Sequence, residues 1–256
     1  MHPGRDERPR YGGADFEAAW RLVCRLRWPG SAPRGEWRSS PADLACLWRV
    51  VVGAPRLVVR PSPSPAGREL RGYLGRRLRR RLVQGVLVLP ASREDYLRGR
   101  SRQAVRTALR RAAADGASCA VAVDVDVRRA AVRAVAGAVD GVAEWGDTLF
   151  ARPFDRWWVA RDAGGQPVGF AAVTVDGEAA LLQSLVACSS EIRVLVHTEM
   201  VGDLCAAGVR CLAVRDGCAL LMPSGLHYLQ QRLGYELAHL RVASPADVRN
   251  RTPMAP

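Results

Sequence analysis

The groups in this sequence that could do chemistry are two loop carboxylates, a set of regularly spaced arginines, and a few scattered histidines and thiols. Glu144 and Asp147 flank Trp145 in a polar stretch that precedes a strand-rich region. A positioned carboxylate there can take a proton from a substrate; the plainer alternative is a pair of inert surface acids. His197 and Glu199 fall inside a helical pattern, where a packed histidine and a solvated glutamate are the simpler readings. His227 and His239 have no partner at a telling spacing. Arg98, Arg102, Arg106 and Arg110 recur every four residues and so share one helix face. Like charges at that spacing oppose a lone helix by roughly 0.2–0.5 kcal/mol per pair. Contact with a polyanion, RNA above all, would account for them; so would a solvated face offset by carboxylates such as Glu94. Arg76, Arg77, Arg79, Arg80 and Arg81 form a second cluster. Few aromatics interleave with either, so the contact would be with phosphate and without base readout.

Other chemistries are excluded or disfavoured. All 38 basic residues are Arg, so no lysine nucleophile, Schiff base or lysine phosphate clamp exists in the 256-residue chain. The seven cysteines are odd in number and mostly sit in apolar segments, as small buried hydrophobes do. Cys205, Cys211 and Cys218 are too widely spaced for a zinc knuckle, and no metal site is expected. Charge is lopsided: residues 1–118 carry 25 Arg against 10 acids, and residues 119–256 carry 13 against 15. The basic part must face something anionic or stay solvated. No run approaches the ~20 apolar residues of a membrane span, and Met1–Arg10 lack the apolar core of a secretory signal. A cytoplasmic protein without a membrane span is expected.

The elements that must position these groups follow from periodicity and punctuation. Residues 1–14 and 244–256 read as flexible tails, 15–118 as a basic part, and 119–243 as a second part. Asp15 opens a helix to about Arg27. Ser40 and Pro41 open another to about Val52, although Val50–Val59 also fits two short strands. Pro61-Ser62-Pro63-Ser64-Pro65 reads as a stiff extended surface connector. Leu82–Leu89 is strand-like, Ser92 caps a short helix, and Ser101 to about Asp115 is a longer one ended by Gly116. Ala117–Val123 reads as a strand and Val127–Val139 as a helix. Three strands follow, Trp157–Arg161, Val168–Val175 and Ala179–Ala187, joined by turns at Gly164-Gly165 and Asp176-Gly177. Ser189 or Ser190 caps a helix from Glu191 to Ala207 with Gly208 as its stop. Strand Cys211–Val214, helix Leu226–Leu233, Gly234 and strand Tyr235–Val242 complete the order.

This order resembles the C-terminal part of the GNAT N-acyltransferase fold. The specific piece is Leu226-His227-Tyr228-Leu229-Gln230-Gln231-Arg232-Leu233-Gly234-Tyr235-Glu236, similar to the family's helix, "LGY/LGF" turn and strand. Upstream, Ser101-Arg102-Gln103-Ala104-Val105-Arg106 with Leu109-Arg110-Arg111-Ala112 and Gly116 resembles a helix of the FemAB-like branch. The implied fold is α/β of mixed α+β type: a central, mostly antiparallel mixed sheet flanked by helices, here preceded by the basic helical and strand part.

The resemblance implies transfer of an acyl or aminoacyl group to an amine by direct attack. The donor would be acyl-CoA as co-substrate, with no permanently bound cofactor, or an aminoacyl-tRNA. In that fold the strand matching Ala179–Ala187 splays from the one matching Cys211–Val214. The donor arm fits the gap, and a backbone N–H polarises its carbonyl. Leu185, Val186, Ala187, Cys188, Ser189, Ser190 and Arg193 would then contact the donor, its phosphates lying at a helix N-terminus. Glu144 would take the amine proton. Two positions depart from the pattern. The family's glycine-containing phosphate loop is replaced by Ala187-Cys188-Ser189-Ser190-Glu191-Ile192-Arg193. Gln230 stands where a Tyr commonly protonates the departing thiolate, with Tyr228 two residues earlier. Arg98, Arg102, Arg106 and Arg110 would face CoA phosphates or a tRNA acceptor stem. The alternative is a catalytically degenerate module of this fold that binds an anionic partner such as RNA.

Overall fold

In the computed structural model, residues 13–27, 41–75, 83–137, 139, 152–218, 220 and 224–243 are described. They divide into two units, one of residues 61–70 and 88–215, the other of residues 1–60, 71–87 and 216–256. In chain order the elements are α1 (Ala14–Arg27), α2 (Pro41–Gly53), β1 (Arg56–Val59), α3 (Pro65–Gly75), β2 (Gln84–Val88), α4 (Arg93–Tyr96), α5 (Gln103–Ala114), β3 (Ser118–Val121), α6 (Val125–Ala136), β4 (Asp155–Arg161), β5 (Pro167–Asp176), β6 (Ala179–Ala187), α7 (Ser190–Ala206), β7 (Cys211–Cys218), α8 (Ser224–Leu233) and β8 (Glu236–Val242).

The 61–70 and 88–215 unit is built on the meander. Its strands lie in the order β7-β6-β5-β4-β3. β3–β4, β4–β5 and β5–β6 are antiparallel, and β6–β7 is parallel. The mixed α/β, mostly antiparallel architecture expected from the sequence is therefore present. The turns form as the glycines predict: Gly165 and Gly177 adopt φ of +77° and +55°, open to glycine at little cost. One sheet face packs on α6, where Trp157, Val159, Phe170, Ala172 and Val186 meet Ala131 and Val135. Trp157 and Phe170 stack with ring centroids 5.5 Å apart; such pairs contribute about 0.5–1.5 kcal/mol beyond the area they bury. The other face carries α7, to which Trp158 is tied by its indole N–H on Asp203, 2.6 Å.

Helix caps are local; those at Ser92 and Ser189 were legible, and the structure adds Asp124. Ser92 accepts from Asp95 N–H, Asp124 from Asp126 N–H, and Ser189 from Ile192 N–H. Each such cap stabilises a helix by roughly 1 kcal/mol. The unit of 1–60, 71–87 and 216–256 contains α1, α2, α8 and the strand order β1-β8-β2, with β1–β8 parallel and β2–β8 antiparallel.

Three expectations need correction. The Val50–Val59 segment is not two strands: α2 runs on to Gly53 and only β1 follows. Asp15 lies inside α1; its carboxylate receives Arg49 Nε and Nη2 at 2.9 and 2.8 Å. The Pro61–Pro65 stretch is no free connector. Ser62 N–H, Ser62 Oγ and Ser64 Oγ all donate to the buried Asp176 carboxylate, at 2.6, 2.5 and 2.9 Å. Ser64 Oγ in turn accepts from Gly67 N–H at 2.9 Å and opens α3, an element that proline-rich sequence concealed.

Gly169 marks a close approach of β5, β6 and α7. A Cβ there would lie 2.9 Å from both Ala187 Cβ and Ile192 Cγ2 and 3.1 Å from Val186 O. Gly169→Ala is expected to destabilise the protein by about 1–3 kcal/mol, read as a lower urea midpoint at unchanged slope. An unchanged midpoint would mean that the three elements are not packed so tightly.

Candidate functional site

The β5–β6 register shifts between Ala172 and Val173, which pair with Ser184 and Leu182. Gln183 is thus an extra residue on β6, a β-bulge, and bulges bend a strand and re-aim its groups. The parallel β6–β7 ladder runs from Ala179↔Cys211 to Leu182↔Val214 and, among the described residues, goes no further. Gln183–Ala187 continue β6 on its β5 side alone. The printed pairing of the two strands thus ends at the bulge, the place where the resemblance expects them to splay.

Polar side chains gather where the ladder ends. Thr174 Oγ1 donates to Asp155 Oδ1, and Gln183 Nε2 donates to Thr174 Oγ1 at 2.7 Å. Arg215, one residue beyond the last pair, donates to Gln183 Oε1 and reaches Glu69 Oε1 at 3.4 Å. Arg152 donates to the same Glu69 oxygen at 2.9 Å. Asp155 and Thr174 are buried and the other four half-buried, so each depends on the next for its hydrogen bonds. Burial pushes the Asp155 carboxyl above the ordinary carboxylate range, although Thr174 and Arg152 oppose the shift. Glu69 reaches this cluster because the Ser62–Ser64 clamp on Asp176 starts α3 there. Gly67 permits the clamp: a Cβ on it would sit 2.1 Å from Ser62 O.

The strand–helix junction after β6 is as the sequence places it. Cys188 N–H donates to Val168 O at 2.9 Å, and Cys188, Ser189 and Ser190 are exposed. Val186 and Ala187 are buried, so their side chains serve the core. Leu185 and Arg193 are half-buried. Glu191 stands in the first turn of α7, hydrogen-bonded by Ser190 Oγ at 2.8 Å and 3.8 Å from Arg111. The helix N-terminus already has a carboxylate beside it, which suits the dipole.

The remaining predicted residues fare differently. Glu144 lies outside the described residues, as do residues 1–12 and 244–256 and the Arg76–Arg81 cluster, whereas Ala14, expected in the tail, begins α1. Tyr228 and Gln230 belong to the other unit; Tyr228 is exposed and Gln230 buried. The arginines do not form one helix stripe. Arg98 sits before Gly99, whose φ is +92°, and pairs with Asp95 at 2.9 Å. Arg106 donates to Leu97 O and Gly99 O at 2.5 and 2.9 Å and to Gln103 Oε1 at 2.6 Å, tying that turn onto α5. Arg102 lies over the Tyr96 ring at 4.8 Å, and Arg110 bonds Thr107 at 3.3 Å. The middle of the series is engaged inside the fold. His197 is buried beside Tyr96, and burial holds its pKa down to about 3, so it is a neutral core residue. Burial also raises the Cys211 thiol to about 11.

Sequence reading missed Glu69, Arg152, Asp155, Thr174, Gln183 and Arg215. A signal existed for two of them: Thr174 and Gln183 interrupt otherwise apolar strands with polar groups. The folded state binds the Asp155 proton more tightly than the unfolded chain does. The stability this contributes is complete below the ordinary Asp range and is lost as pH rises through the raised value. Asp155→Asn cannot ionise, so it should flatten the decline of Tm as pH rises above the ordinary Asp range. Parallel Tm profiles for the two proteins would refute the raised carboxyl.

No family model matches the sequence, and neither does any curated protein. Solved structures do match parts of it. A C-terminal domain assigned to a lysylphosphatidylglycerol synthetase from Agrobacterium fabrum is 14% identical, with a TM-score of 0.45 over 61% of this chain and 58% of that one. L-PGS from Bacillus licheniformis is 11% identical, with a TM-score of 0.43 over 65% of this chain and 62% of that one. A GCN5-related N-acetyltransferase from Kribbella flavida is 17% identical, with a TM-score of 0.34 over 47% of this chain and 46% of that one. This chain spans less than two thirds of the length of each, and the likeness is one of architecture.

Proposed function

We propose that the chain is an N-acyltransferase that takes an acyl or aminoacyl group from acyl-CoA or an aminoacyl-tRNA and passes it to an amine. The observation that carries this reading is the end of the β6–β7 ladder at the Gln183 bulge, after which, among the described residues, β6 pairs with β5 alone beside a cluster of polar side chains. A donor arm laid along Gln183–Ala187 would hydrogen-bond β6 as an added strand. Backbone N–H groups there would polarise its carbonyl as negative charge develops on oxygen. The amine nitrogen attacks the carbonyl carbon, the bond to the donor's sulfur or oxygen breaks, and the amine's proton passes to a carboxylate. Two carboxylates are available for that role in this reading. Glu144 is the one expected from sequence. Asp155 is the other, and its raised pKa brings it closer to the working range of a general base. Arg215 and Gln183 position the ladder end.

The test uses the full chain. Calorimetry with acetyl-CoA and longer acyl-CoAs, thiol release over a panel of amines, and transfer from charged tRNA should reveal one working donor. With that donor, Gln183→Ala and Arg215→Ala are each expected to lower kcat/KM by roughly tenfold or more while donor binding survives. Neither binding nor transfer with any donor, in a folded preparation, would overturn the proposal.

A further inference from the structure

Beyond β3 the chain stays paired for one more residue, Ala122 N–H donating to Trp157 O at 2.8 Å, and then turns into α6. β3 ends the strand order, so this turn lies on the edge of the sheet. A cavity of about 410 Å³ opens there, wholly within the 61–70 and 88–215 unit. Sites for small molecules commonly measure about 300–1,000 Å³. Val121, Val123 and Trp158 give the cavity an apolar lining. Val121 is the register partner of Trp158 and so shares its face of the sheet. Val121 and Val123 are 52% and 80% exposed, an apolar surface at the cavity that packing does not account for. Three charged residues complete the lining: Arg128, Arg156 and Asp203.

These charges select the ligand. Arg128 is only 8% exposed. Its Nε and Nη2 donate to Ala122 O and Val123 O, both at 2.9 Å, and its guanidinium stands 5.9 Å from the Trp157 ring centroid. Those contacts occupy two of the three nitrogens, and among the described residues no carboxylate lies within ion-pair distance of the group. Burial disfavours its charge, and a buried cation is stabilised by an anion beside it. Arg156, on the same cavity, is exposed and, among the described residues, makes no hydrogen bond or ion pair. Asp203 is engaged by the Trp158 indole N–H at 2.6 Å. Two guanidiniums and one carboxylate leave the lining a single positive charge. A monoanion balances it, whereas a phosphate monoester, at about −2, would overshoot and meet Asp203. A planar carboxylate also matches the guanidinium fork. The apolar lining requires that the carboxylate carry an apolar body.

We infer that this edge cavity binds a monocarboxylate with an apolar body, the carboxylate held by Arg128 and Arg156 and the body against Val121, Val123 and Trp158. The site is separate from the ladder end: Arg156 and Asp155 are neighbours on β4, so their side chains leave opposite faces of the sheet. The inference therefore stands independently of the proposed transfer activity.

Calorimetry and ligand-observed NMR of the full chain with phenylacetate, phenylacetamide and phenyl phosphate test it. Phenylacetate is expected to bind saturably at millimolar concentration, and the uncharged amide to bind roughly tenfold or more weakly by comparison. Phenyl phosphate should bind more weakly than phenylacetate. Arg156→Gln should lower the affinity for phenylacetate by roughly tenfold. Val123→Glu, at a position 80% exposed, should abolish binding with circular dichroism unchanged. Both substitutions are at exposed positions, so neither depends on the structural bonds of Arg128. Three results would overturn the inference: no saturable binding of phenylacetate to the folded parent, equal affinity for the acid and the amide, or affinity for the acid left intact by both substitutions. Tighter binding of phenyl phosphate than of phenylacetate would overturn the assignment to a monocarboxylate.

Discussion

Gln183 has no register partner on β5, and most of what is distinctive about this fold follows from that one extra residue. A bulge bends its strand and disrupts the ladder locally. β6 keeps its antiparallel pairing with β5 through Ala187 and gives up its parallel pairing with β7 after Leu182. The bulge also sets Gln183 within reach of Thr174 and Arg215. Once those groups are withdrawn from water, each must be bonded by another, and the requirement spreads from Gln183 to Asp155 at one end and Glu69 at the other. Removing a partner from such a chain leaves a buried donor or acceptor unsatisfied, which costs about 1–3 kcal/mol. The cluster is accordingly more than a by-product of packing.

The same logic explains the Ser62–Ser64 clamp. Asp176 ends β5, next to the Gly177 turn, and its buried carboxylate needs donors. Two serines between prolines supply three of them. The prolines keep that stretch extended, so the donors converge at little entropic cost. The clamp also fixes where α3 begins, and with it the position of Glu69. Composition alone makes the segment look like a linker; its function in the fold is to bring a carboxylate to the end of a ladder.

The arginines divide along physical lines too. Those of residues 88–215 are nearly balanced by acids, and several are spent on backbone carbonyls or aromatic faces, as with Arg106 and Arg102. By sequence, the excess belongs to the other unit.

What the sequence determined by itself was everything with a local cause. The three-strand meander, its glycine turns, the capped helices at Ser92 and Ser189 and the Gly234 stop all rest on residues within a few positions of each other, so periodicity and cap chemistry reveal them. The third strand of the meander and its helix junction were legible for the same reason, as was the boundary of Ala179–Ala187. Only the tertiary structure decided the candidate site. Glu69 meets Arg152 across 83 residues and Arg215 across 146, and no spacing rule reaches that far. The arginine series looked continuous because counting by four assumes an unbroken helix; Gly99, at φ +92°, breaks it. A proline-rich segment became a clamp because a buried carboxylate elsewhere required donors. Local chemistry chooses the elements, whereas the need to satisfy buried polar groups is met only after distant segments have come together.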